Sequence, residues 1–206
     1  MKIAVLGSGS WATALAKIVM NNVDEINWYI RKQETIDEFI ESRRNPNHLE
    51  WAYFDTNKIY FSSDINEVLD LSNTIIVAIP SPYVKSCLDE INIDISHKKI
   101  ISAVKGMIPD EHVLVTDYIH EHFGVPHENI GVIAGPCHAE EIALERLSYL
   151  TIGGISEQNT QAWSELLTTR YVHVAQSNGV IGLEYSSVMK NIYAIAAGMC
   201  SSLRYG

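Results

Sequence analysis

Residues 1–15 read Met1-Lys2-Ile3-Ala4-Val5-Leu6-Gly7-Ser8-Gly9-Ser10-Trp11-Ala12-Thr13-Ala14-Leu15. Ile3 to Leu6 is a short apolar run that stops at once in Gly7, Ser8 and Gly9. Trp11, Ala12, Leu15, Ile18 and Val19 then recur at helical spacing. The order predicts a strand, a tight glycine turn and a helix. Gly7, Gly9 and Ala12 stand in the spacing G-x-G-x-x-A, the fingerprint of a dinucleotide site. In that reading Gly7 makes the turn, Gly9 admits a pyrophosphate close to the backbone, and Ala12 seats the helix on the strand. The first N–H groups of the helix and its positive dipole end face the phosphates. A plain βα turn that uses glycine only for geometry is the alternative.

Outward from this stretch, strand-like and helix-like segments alternate. Ile26 to Ile30, Ile59 to Phe61, Thr74 to Ile79, Ile100 to Val104, Ile130 to Ala134, Leu150 to Gly153 and Val172 to Ala175 read as strands. Thr74 to Ile79 is continuously apolar, as expected of a strand buried on both faces. Helices are expected at Glu34 to Ser42, Ile65 to Leu69 with Asp64 as N-cap, from Ser81-Pro82 in cap-then-proline order, and at Val113 to Phe123 closed by Gly124. Two more are expected near Cys137 to Glu145 and Gln158 to Thr168. The alternation specifies an α/β fold, a doubly wound Rossmann-type sheet, mostly parallel, with right-handed crossovers. The cofactor domain is expected over residues 1–178. Gly179 to Leu203 forms one long helical segment with only Glu184 and Lys190 charged, a pattern of burial nearly all round. Residues 179–206 therefore read as the first helix of an all-α substrate domain truncated after it.

At 206 residues the chain can bury a sizeable core. Apolar residues make up 47% and charged residues 19%, a globular balance. The net charge of -10 argues against nucleic-acid partners and anionic membranes. Met1-Lys2 imitates a signal-peptide start, but the apolar run behind it is too short. No stretch of about 20 residues is uninterruptedly apolar, so no membrane segment is expected. Cys87, Cys137 and Cys200 show neither metal spacing nor a disulfide framework, and a reducing cytoplasm is the default.

In such a sheet the ligand crevice lies beyond the carboxyl ends of the strands. Ser8 to Trp11 follow the first strand. Arg31 and Lys32 follow the second, where an NAD site usually has an acid. Two cations there suit a 2′-phosphate, so NADP is expected to be tolerated or preferred; two solvated surface cations are the alternative. Lys105, after the fifth expected strand, has two equal readings, a crevice cation or a surface lysine. Gly135-Pro136-Cys137-His138-Ala139 is a second glycine near a helix start and a second candidate anion cradle. Cys137 reads as a small polar lining residue, having no base at a suitable spacing, and His138 as packed or capping. Lys190 shares its helical face with Leu183, Ser186, Ser187, Ala194 and Ala197. Held among these, a lysine is costly unless paired or functional, and burial lowers its pKa toward acid–base use. The alternative is a lysine snorkelling outward. His112, His120, His122 and His127 do not match a metal pair, and no metal is expected.

These motifs resemble, in order, those of the bacterial NAD(P)-dependent sn-glycerol-3-phosphate dehydrogenases. The resemblance covers Gly7 to Leu15, Asn45-Pro46, Val104-Lys105-Gly106, Gly135 to Glu140, and Glu184 with Met189 to Gly198. It implies cofactor contacts at Gly7, Gly9, Ser10, Trp11, Arg31, Lys32, Lys105 and Ala139, with NAD or NADP as cofactor. It implies substrate contacts at Lys105, Gly135, Cys137 and Lys190, with Lys190 the catalytic acid–base. The substrate implied is a small phosphorylated ketone, dihydroxyacetone phosphate, reduced to sn-glycerol 3-phosphate for glycerophospholipid synthesis. Cys137 stands where the family has serine and His138 where it has phenylalanine. Alternative readings are another two-domain reductase of the β-hydroxyacid or ketopantoate type, or a non-catalytic dinucleotide sensor. The 206 residues alone are expected to bind cofactor weakly, to catalyse little, and to self-associate through the apolar helix, a homodimer being one form.

Overall fold

Ile3–Leu6 forms β1, and it is buried on both faces. Ile3 and Val5 enter one core layer, Ala4 and Leu6 the other. The same two-residue alternation runs through the neighbouring strands and defines a sheet with helices on both sides. The structure is a computed structural model and describes residues 1–109 and 111–205. Gly206, the last residue of the expected second segment, lies outside the described residues.

The strands are β1, β2 (Ile26–Tyr29), β3 (Ile59–Ser62), β4 (Thr74–Val77), β5 (Lys99–Ser102), β6 (Ile130–Ala134), β7 (Ser148–Gly154) and β8 (Val172–Ser177). Their order across the sheet is β3-β2-β1-β4-β5-β6-β7-β8. The first six are parallel, in the doubly wound order that reverses direction between β1 and β4. The sheet is mostly parallel, as expected; among the described residues its one antiparallel pairing is β7 with β6, and β8 is parallel to β7. The helices are α1 (Ser10–Val19), α2 (Gln33–Ser42), α3 (Ile65–Asp70), α4 (Ser81–Leu88), α5 (Val115–Phe123), α6 (Ala139–Ala143), α7 (Glu157–Leu167) and α8 (Val180–Ser202). One layer packs α1, α2, α6 and α7 on the sheet, and the other packs α3, α4 and α5.

Several local expectations hold at atomic detail. Asp64 caps α3 by accepting from Asn66 N at 2.8 Å. Gly124 closes α5 in the left-handed conformation, φ 65°. Others do not. Ser81 is the first residue of α4 rather than its cap; Pro80 holds the cap position and no side chain bonds there. α8 is not buried all round. Glu184 and Ser187 are buried on it, while residues 191–202 are exposed because the sheet covers only its N-terminal half.

Register places the site. Leu6 stands opposite Tyr29 and Val77, Val77 opposite Ser102, and Ser102 opposite Val132. The residues that follow these positions, Gly7, Arg31, Ala78, Lys105 and Gly135, therefore emerge along one edge of the sheet.

Candidate active site

Gly7 leaves β1 with φ 117°, a conformation side chains rarely adopt. A Cβ there would stand 2.5 Å from the Ala78 carbonyl oxygen. The turn is held from several directions. Trp28 Nε1 donates to the Gly7 carbonyl at 2.7 Å, from within an aromatic group with Phe39, Phe54 and Phe61. Asn45, wholly buried, donates from Nδ2 to the Ser8 carbonyl at 2.9 Å and to Thr13 Oγ1 at 2.8 Å. Thr13 Oγ1 donates in turn to the Gly9 carbonyl at 3.0 Å. The carbonyl groups of the loop are thus bound within the protein. Gly9 caps α1 without a side-chain bond, which leaves the first N–H groups of the helix without an intrahelical partner. A Cβ on Gly9 would meet nothing within 4 Å, so the glycine keeps open space above the helix start. An anion fits there on donors, dipole and room alike.

A cavity of about 230 Å³ continues from this loop over the ends of β2 and β4. Gly7, Ser8, Gly9, Tyr29, Arg31 and His48 are among its walls. His48 Nδ1 shares a hydrogen bond of 3.2 Å with Ser10 Oγ. Lys32 is exposed as the N-cap residue of α2 and is not part of this wall, so of the two expected cations only Arg31 faces the groove.

A second cavity, about 240 Å³, lies further along the same edge, lined by Lys105, Gly135, Pro136, Ser186, Ser187 and Lys190. Lys105 is half-buried, its Nζ 4.4 Å from the centroid of the Trp11 ring. Burial and, next, the charge of Lys190 hold the Lys105 ammonium below the ordinary lysine range. Two cations facing one small cavity give a site suited to an anionic ligand. Gly135, φ 145°, passes so close to β7 that a Cβ would stand 2.7 Å from the Tyr149 carbonyl oxygen.

The lysine pair depends on how α8 is attached. The N-terminus of α5 has no side-chain cap of its own. Glu184 of α8 supplies one: its carboxylate accepts from Val115 N at 3.0 Å, Thr116 N at 3.3 Å and Thr116 Oγ1 at 2.5 Å. Burial pushes its carboxyl pKa up despite these bonds.

The structure therefore brings together Lys105, Gly135 and Lys190 at one cavity, and Gly7, Gly9 and Arg31 at the other, with Ser10 and Trp11 between the loop and Lys105. Cys137 does not line the lysine cavity. It is buried in the core, and its thiol, pushed up by burial, donates to the Tyr149 carbonyl at 2.7 Å. Ala139 is buried as the first residue of α6. α6 begins four residues after Gly135 and runs for only five residues. His138 is exposed and makes no side-chain cap, so it neither packs nor caps as expected. His48, Trp28 and the capping role of Glu184 were not singled out in the sequence. Glu184 had a signal, the only acid in an apolar helix. Among the described residues no group of three metal-ligating side chains occurs, and no helix is long and apolar enough to cross a membrane.

Known proteins match this arrangement along the whole chain. The family description "NAD-dependent glycerol-3-phosphate dehydrogenase N-terminus" covers residues 2–162. The NAD(P)+ glycerol-3-phosphate dehydrogenase of Exiguobacterium sp. is 32% identical over 206 residues, which is 99% of this chain and 60% of that protein. That of Bacillus pumilus is 32% identical over 209 residues, 100% of this chain and 60% of the relative. The structure of Plasmodium falciparum glycerol-3-phosphate dehydrogenase superposes with a TM-score of 0.88 at 29% identity, over 99% of this chain and 60% of that one. The chain thus spans about 60% of the length of these relatives. From the glycine loop to the lysine cavity, the chain belongs to the NAD-dependent glycerol-3-phosphate dehydrogenase family, whose N-terminal part it carries.

Proposed function

We propose that the chain is the cofactor-binding part of an oxidoreductase that interconverts dihydroxyacetone phosphate and sn-glycerol 3-phosphate with NAD(P)H, supplying glycerophospholipid synthesis. The observation that carries this is the pairing of Lys105 and Lys190 at one cavity on the same sheet edge as the glycine loop. Gly9 and the first turn of α1 hold the pyrophosphate, and the groove beside Arg31 holds the adenosine end. Arg31 makes NADP acceptable as well as NAD.

A bound nicotinamide supplies the hydride. Negative charge then grows on the ketone oxygen, and Lys190 delivers a proton to it as general acid. Lys105 stabilises that charge electrostatically from a half-buried position where the field is poorly screened. Binding of an anion in the cavity also relieves the repulsion between the two ammonium groups. Gly135 supplies a wall with no side chain. Cys137, with its thiol committed to Tyr149, shapes the wall from behind and is not itself a substrate contact in this scheme.

Residues from 179 onward are the start of a helical substrate domain in this proposal. The three cysteines, all free, suit a cytoplasmic protein. A homodimer is the expected assembly, read by the mass of the full-length protein in solution. The catalytic assignment is tested by following NAD(P)H oxidation with dihydroxyacetone phosphate in the full-length protein. Lys190→Ala is expected to lose at least about a hundredfold in kcat; equal rates in the two proteins would remove Lys190 from the mechanism.

A further inference from the structure

The groove beside the glycine loop carries an acid that the fingerprint does not account for. Tyr83, Ser86, Cys87 and Glu90 recur at i, i+3, i+4 and i+7, one face of α4 and the turn beyond it, and all four line the groove. Tyr29 and Arg31, at the end of β2, line it as well. A positive and a negative side chain thus share one cavity. They form no ion pair within 4 Å among the described residues, and both are exposed to the groove and to solvent. Burial is the main cause that pushes up the Tyr29 hydroxyl and the Cys87 thiol, and the two charges act on both groups in opposite senses, Glu90 adding to the rise and Arg31 opposing it.

An NAD site usually reads the ribose 2′-hydroxyl with an acid placed directly after the second strand. Here that position is Arg31. We infer that Glu90 is the specificity residue of the cofactor groove, an acid brought in from α4 that opposes the 2′-phosphate Arg31 attracts. This rests on the dinucleotide reading of the groove. A 2′-phosphate carries between one and two negative charges near neutral pH. Beside Arg31 alone it is welcome. With Glu90 lining the same groove, part of that gain is cancelled. A ribose 2′-hydroxyl is neutral and donates a hydrogen bond to a carboxylate, so NAD meets no such penalty. The groove is then built to favour NAD and admit NADP.

Glu90 is held in place by its backbone. Its N–H donates to the Cys87 carbonyl at 3.3 Å and its carbonyl accepts from Asn66 Nδ2 at 3.1 Å, while its carboxylate has no hydrogen-bond partner among the described residues. The charge can therefore be removed without breaking a side-chain hydrogen bond or ion pair among the described residues.

The test measures dissociation constants of NADH and NADPH by calorimetry in the full-length protein, for wild type, Glu90→Gln and Arg31→Ala. Wild type is expected to bind NADH more tightly. Glu90→Gln should tighten NADPH about tenfold, the scale of one unscreened like-charge contact in a half-open groove, with NADH moving less than about threefold. Arg31→Ala should weaken NADPH more than NADH. If Glu90→Gln moves both nucleotides by the same factor, Glu90 contacts a part common to both and the inference fails. If it moves neither, the inference fails as well while the dinucleotide site stands. If wild type binds neither nucleotide, the reading of the groove falls and takes the inference with it.

Discussion

Glu184 is where the packing of this chain can be tested most sharply. Its carboxylate is wholly buried and accepts from two backbone N–H groups and one hydroxyl at the start of α5. Glu184→Ala leaves all three donors without a partner. A buried donor stripped of its acceptor costs about 1–3 kcal/mol, and loss of a helix cap about 1 kcal/mol. Part of that is offset because the variant no longer buries a carboxylate. A net loss of about 2–4 kcal/mol follows, which for a domain of this size lowers Tm by roughly 5–15 °C. Glu184→Gln keeps an acceptor oxygen for the backbone groups and should lie within about 1 kcal/mol of wild type.

The two variants also separate by pH. Burial raises the Glu184 pKa above its ordinary value, so the folded protein holds that proton more tightly than the unfolded chain does. The contribution of this group to stability is therefore greatest below the ordinary glutamate value of about 4.3, and it falls as pH rises through the raised one. Glutamine does not titrate. Thermal denaturation followed by circular dichroism between pH 4 and pH 8 should show wild type losing ground to Glu184→Gln as pH increases. The reasoning is refuted if Glu184→Ala melts within a degree of wild type. It is equally refuted if wild type gains on Glu184→Gln with rising pH.

Two further outcomes follow from the site. Lys105→Met should raise the Tm of the cofactor-free protein by a few degrees, on the order of 1 kcal/mol, because it removes a half-buried cation next to Lys190; in the full-length protein kcat/KM should fall by more than about a hundredfold. Asn45→Ala leaves the Ser8 carbonyl and Thr13 Oγ1 without their donor. It should cost about 2–3 kcal/mol in a urea melt and weaken NADH and NADPH by a similar factor, since it loosens the loop both share.

The alternation that announced the fold was legible because parallel strands are buried on both faces. Runs such as Thr74 to Val77 have no polar face to disguise them. The reversal at β7 was less visible, since an antiparallel strand of the same composition reads alike. Asn45 was visible only as part of a helix-breaking turn. Its role depends on Ser8, 37 residues earlier, and a contact at that separation leaves no periodic trace. The thiol of Cys137 is likewise placed by a partner outside its own motif, the Tyr149 carbonyl twelve residues on.

The long helix shows most clearly which part of the sequence carried the function. Its apolar composition suggested a helix buried on every side, yet the residues it buries are polar. Glu184 and Ser187 lie three apart, and Ser187 and Lys190 three apart again. Positions three apart on an α-helix form a slowly winding stripe. This stripe starts at the cap of α5 and ends at the cavity shared with Lys105. Its first residue is an anchor of three hydrogen bonds, and its last is an ammonium that needs a defined position. Since six residues of helix span only about 9 Å, the anchor fixes the reach of Lys190 closely. An activity loss in Glu184→Ala that Glu184→Gln restores, at a temperature where all three proteins are folded, would identify Glu184 as the positioning residue for that lysine. A loss that tracks melting alone would confine it to stability.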